Sequence, residues 1–80
     1  MKNRIDYWTD GTRHPVRLSD YALGLIANHP DGRSQAITEA LALWFRKVDH
    51  MAAAQAFIDQ HDGMNLSLLV EIAISRAFDR

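Results

Sequence analysis

The segment RSQAITEALALWFRK, Arg33 to Lys47, constrains this chain more than any other. Ile37, Ala40, Leu41 and Trp44 recur at i, i+3, i+4 and i+7, the spacing of one helical face. Ala36, Leu43 and Phe45 extend the apolar surface onto a second face. A helix apolar on two sides has to be covered on two sides. In a chain of 80 residues that requirement is severe, because a lone core of this size lies near the lower limit of independent stability. The sequence has no cysteine, which excludes disulfides and thiolate zinc sites as reinforcement. The core must therefore pack closely or be completed by a second chain, and dimerisation is the expectation.

The remaining helices follow from the same periodicity. Ser19 is a good N-cap for a helix over about 19–28, with Ala22, Leu25 and Ile26 on one face. Gly24 weakens this helix and His29-Pro30-Asp31-Gly32 ends it. The two-sided helix covers about 33–48, closed by Arg46 and Lys47, which suit its dipole. Asp49 caps a third helix over about 50–61, turning Met51, Ala54, Phe57 and Ile58 inward. A fourth covers about 65–79, capped by Asn65 or Ser67. It carries Leu66, Leu69, Val70, Ala73, Ile74, Ala77 and Phe78 at helical spacing, with Leu68 and Ile72 on a second side. HPDGRSQAITEAL and QHDGMNLSLLVEI share an Asp-Gly break followed by a helix bearing one glutamate. Aligning them needs a one-residue gap and few identities support it, so duplication is only hinted at.

Residues 4–18 admit two readings. In the first, RIDYWTDGTRHPVRL is a hairpin about Asp10-Gly11, a favoured type I′ pair because both residues tolerate positive φ. That register sets Ile5 against Val16 and Tyr7 against His14 on one face. Arg4 then faces Arg17 on the other, and Trp8 faces Arg13 as a cation–π pair. In the second, residues 1–11 are a loose arm and only 13–18 are extended. Residues 1–17 carry four basic groups against two acidic ones, whereas the whole chain has a net charge of −1. That balance argues against indiscriminate binding to nucleic acid.

VRLSDYALGLIANHPDGRSQAITEALALWF, Val16 to Phe45, resembles the ribbon-helix-helix family of Arc/MetJ-type DNA-binding proteins. VRLSD matches the family's strand and Leu-Ser helix start, and GRSQAITEAL matches the opening of its second helix. The resemblance implies a mostly α, ribbon-helix-helix homodimer with a core over residues 13–48 and an added C-terminal helical hairpin over 49–80, all in one domain. Val16, Leu18, Ala22, Leu25, Ile26, Ile37, Leu41 and Trp44 would form the shared dimer core. The outward strand residues Arg13, Pro15 and Arg17 would read bases in the major groove, since arginine pairs bidentately with guanine. Lys2, Arg4, Arg33 and Ser34 would hold phosphates, the last two at free helix amides. Pro15 departs from the family pattern, which places a polar reader there. The apolar C-terminal helices depart from it too, because antitoxins of the family usually continue as charged tails.

The four histidines show no metal-ligand spacing, the serines no triad, and no Gly-rich phosphate loop occurs. The expectation is a protein without enzymatic activity, cofactor or metal. The apolar runs are too short to span a membrane, and a cytoplasmic location is expected. The leading functional expectation is a sequence-specific transcriptional repressor, bound as a homodimer to double-stranded DNA, with the C-terminal helices either thickening the dimer or joining dimers along an operator. The alternative is a protein-interaction module, an antitoxin meeting its toxin or a small inhibitor of another macromolecular machine, with the same fold as scaffold.

Overall fold

A computed structural model describes residues 3–79 of the chain. Two antiparallel strands, β1 (Arg4–Thr9) and β2 (Thr12–Arg17), precede four helices: α1 (Asp20–Ile26), α2 (Arg33–Phe45), α3 (His50–Gln60) and α4 (Leu66–Phe78). The hairpin reading holds, residue for residue: Arg4 pairs with Arg17, Ile5 with Val16, Asp6 with Pro15, Tyr7 with His14 and Trp8 with Arg13. Asp10 and Gly11 take φ of 49° and 80°, the two left-handed residues that a type I′ turn requires.

Helix starts are set by local chemistry. Ser19, Asp49 and Asn65 each accept a backbone N–H of the first turn, from Ala22, Ala52 and Leu68, satisfying a donor the helix leaves orphaned. Gly32 occupies the N-cap of α2 at φ 92°, without a side-chain cap. The ends fall short of the periodic pattern. Arg46 turns left-handed at φ 52°, and its N–H closes on the Ala42 carbonyl. The predicted extension to residue 48 is thereby stopped at Phe45. Similarly α1 ends at Ile26, where the His29 amide returns to the Ile26 carbonyl.

All four helices lie on one face of the ribbon. The most extensive helix contact is between α2 and α4; α1 packs on α4, α3 packs on α2, and the strands β1 and β2 rest on α2 and α4 respectively. The buried residues of α2 are Ala36, Ile37, Ala40 and Leu41, and those of α4 are Leu69, Val70, Ala73 and Ile74. Each of the second set stands 33 positions after its counterpart in the first. The hint of repetition in the sequence thus has a packing counterpart in the main apolar stripes of α2 and α4, whereas Leu43 and Leu68, on the second sides of the two helices, stay exposed.

Six of the eight residues expected to form a dimer core, Val16, Leu18, Ala22, Ile26, Ile37 and Leu41, are buried inside this one chain. Leu25 and Trp44 are half-buried at its border. Tyr7 joins the core with no exposed surface. Its hydroxyl accepts from Thr38 and lies 3.5 Å from His50 Nε2. Burial raises the Tyr7 pKa above its ordinary value, with the Thr38 hydrogen bond opposing the shift. At the opposite side Glu71 on α4 clamps the start of α1, accepting from the Ser19 amide at 2.9 Å and the Ser19 hydroxyl at 2.6 Å. Among the described residues, no helix is long and apolar enough to cross a membrane.

Candidate nucleic-acid interface

Strand alternation splits the hairpin into two chemically opposite faces. Ile5, Tyr7, His14 and Val16 point toward the helices. Arg4, Asp6, Trp8, Arg13, Pro15 and Arg17 are all exposed on the other side. Trp8 is 52% exposed on this face, one of several large apolar side chains left uncovered, with Tyr21, Leu43, Val48 and Leu68 elsewhere on the surface. Three guanidinium groups and an indole therefore surround one carboxylate, on a ribbon that bears no helix on that face.

The structure brings the expected base readers Arg13, Pro15 and Arg17 onto this face together. It adds Arg4, Asp6 and Trp8, whose outward direction was already implied by the hairpin register but which had not been counted as readers. Arg4 lies directly opposite Arg17. Trp8 and Arg13 face each other as expected, but among the described residues the cation–π contact is elsewhere: Arg76 lies over the Trp44 ring, 5.6 Å from its centroid.

Of the expected phosphate ligands, Arg4 is on the outward face, Arg33 is exposed at the first residue of α2, and Lys2 lies outside the described residues. Ser34 has a structural task. Its hydroxyl accepts from the Trp8 amide at 3.0 Å and reaches the Trp8 carbonyl at 3.4 Å, closing the outer edge of β1. Ser67, one residue into α4, accepts from the Arg17 amide at 2.9 Å and closes the outer edge of β2 in the same way. Ser34 thus serves the strand rather than a phosphate, and Ser67 leaves the cap of α4 to Asn65. A serine near a helix start has a local donor available, and only the nearby strand edge diverts it.

These two bonds also orient the backbone. Trp8 and Arg17 direct their amides away from the ribbon. Amide direction alternates along an antiparallel ladder, so position 15 faces outward as well. Pro15 therefore removes a donor from the outer edge of β2 without costing the hairpin a bond. An open cleft of about 630 Å³ runs along this edge, between Pro15 and Arg17 on one wall and Asn65, Ser67 and Leu68 on the other.

Several titratable side chains away from this face are engaged locally. His29 meets Glu39 at 2.7 Å, and His14 Nε2 meets the Thr9 hydroxyl at 2.8 Å. Tyr21 donates to the Asp79 carboxylate, tying α1 to the end of α4, and that bond raises the phenol pKa. Among the described residues no three His, Asp or Glu side chains converge in a way that would hold a metal ion. Compared with known protein families, curated proteins and solved structures, the chain matches none.

Proposed function

We propose that the protein is a sequence-specific DNA-binding regulator, acting as a transcriptional repressor by laying the outward face of its ribbon in the major groove. The observation that carries this reading is the composition of that face: Arg4, Arg13, Arg17 and exposed Trp8 on a ribbon whose other face alone contributes to the core. Neighbouring strands lie about 4.8 Å apart, so two of them fit a major groove about 12 Å wide. Arg13 and Arg17 are the guanine readers. The openings of α2 and α4 flank the ribbon, and Arg33 and Arg4 supply positive charge toward the backbone.

A protein partner is the second reading. It draws on Trp8 and Pro15, which suit an apolar contact better than a base edge, and on the net charge of −1. Titrating the purified chain with random duplex and with the region upstream of its own gene, at two salt concentrations, separates the readings. DNA binding requires affinity that falls with salt, by a log–log slope of about −0.9 per neutralised phosphate, and a preference for one duplex. A chain that ignores both duplexes but captures one protein from its host would establish the second reading instead.

A further inference from the structure

We propose that one copy of this chain occupies a DNA site by itself, and that the site is a short sequence without inverted repetition. The inference rests on the DNA reading above and specifies its substrate. It starts from the paired contacts of the fold. Ser34 of α2 holds the Trp8 amide, and Ser67 of α4 holds the Arg17 amide. If α2 and α4 are exchanged, Trp8 maps onto Arg17, nine positions later. The same step maps Tyr7 onto Val16, both buried, and Arg4 onto Arg13, both exposed. It also maps Asp6 onto Pro15, which are direct cross-strand partners. An approximate twofold axis therefore pierces the ribbon at the Asp6–Pro15 pair and passes between α2 and α4. The helix contacts obey it: α1 on α4 corresponds to α3 on α2, and β1 on α2 to β2 on α4.

A symmetric ribbon made by two chains needs two strands and two helix pairs about an axis, and this chain supplies the whole set. Its core is closed by its own α4, and the edge of β2 resists a further strand. Of the three outward backbone positions on that edge, Arg17 has its amide held by Ser67 and Pro15 has no amide proton to offer.

The axis relates backbones but not chemistry. Arg4 and Arg13 are alike, whereas Trp8 answers to Arg17 and Asp6 to Pro15. Arginine donates to guanine and a carboxylate accepts from the cytosine amino group, while proline offers only an apolar contact to a thymine methyl. A palindrome would present identical base edges to these unlike groups at two of the three levels. From Arg4 to Trp8 the outward residues span about 14 Å at 3.4 Å per residue, or about four base pairs. That is far less than the spacing of about 34 Å between half-sites of paired readers.

The test is selection of bound sequences from a random duplex library by the full chain, followed by native mass spectrometry of the complex. The expected result is an enriched motif lacking inverted symmetry, bound one chain per duplex and about tenfold or more tighter than a scrambled duplex. Trp8→Arg makes the outer level alike on both strands, so the motif selected by that variant should gain inverted symmetry at its flanks. A palindromic motif carrying two chains would overturn the inference and leave DNA binding intact. Duplex retention without any enriched motif overturns the inference together with the sequence-specific reading, and failure to retain any duplex overturns DNA binding altogether.

Discussion

The two faces of the hairpin are built from the same two six-residue strands yet obey different constraints. On the inward face Tyr7 and Val16 are sealed from solvent, and Tyr7 is tied through Thr38 to α2. On the outward face no residue is buried, two arginines confront each other, and a tryptophan stays exposed. A strand selected only for stability would place opposite charges or β-branched pairs at those facing positions. The inward side holds the fold together, whereas the outward side contributes no buried residue to it.

That contrast can be broken at either face. The largest effect belongs to Tyr7→Ala, which empties a closed part of the core and should cost about 3–5 kcal/mol in chemical denaturation. A loss below about 1 kcal/mol would mean the inward face is not the foundation described here. Arg17→Ala should leave the denaturation midpoint almost unmoved but weaken binding to the preferred duplex by about 1–3 kcal/mol, with relaxed choice at one base position. If both stability and binding changed together, the two faces would not be separable in function.

The strand edges offer a finer comparison. Ser34→Ala and Ser67→Ala each remove one side-chain acceptor from a strand amide at a partly exposed site. Each should cost about 1 kcal/mol, and the two costs should be similar. A much larger cost at one serine would show that the two edges are held unequally, against the internal twofold relation.

The smallest effect sharpens the inward face. Tyr7→Phe removes the hydroxyl that accepts from Thr38 and should cost about 0.5–1 kcal/mol near neutral pH. Burial raises the Tyr7 pKa, so the folded state favours the neutral phenol. Its contribution is complete below the ordinary value of 10.0 and is lost as the pH rises through the folded-state value. Stability should accordingly decline in the alkaline range and decline less in Tyr7→Phe. Tyr21, raised by its bond to Asp79, leaves a residual slope in that variant. Superimposable alkaline curves for the two proteins would remove Tyr7 from this account.

Much of the fold was legible residue by residue. Asp10-Gly11 marked the turn in one of the two readings, and that turn implied the register, because a two-residue loop leaves a single pairing that puts Ile5, Tyr7 and Val16 on one side. Ser19, Asp49 and Asn65 marked three helix starts through hydrogen bonds that reach only three residues. The candidate face was half legible. Arg13, Pro15 and Arg17 were singled out, while Arg4, Asp6 and Trp8 required the second strand to be taken as part of the same surface. The tasks of Ser34 and Ser67 were not legible, since their partners lie 26 and 50 residues away along the chain.

By itself, then, the sequence determined the four helical segments and which of their faces are apolar, and it offered the hairpin turn as one of two readings. These depend on local dihedral preferences, short-range hydrogen bonds and the period of the side chains. Only the tertiary structure decided what covers those faces. Ile37 and Leu41 are equally apolar whether a second chain or α4 lies over them, because hydrophobic burial is non-directional and names no partner. Ala36, Ile37, Ala40 and Leu41 of α2 found theirs in Leu69, Val70, Ala73 and Ile74 of α4, and the dimer-like core closed within one chain.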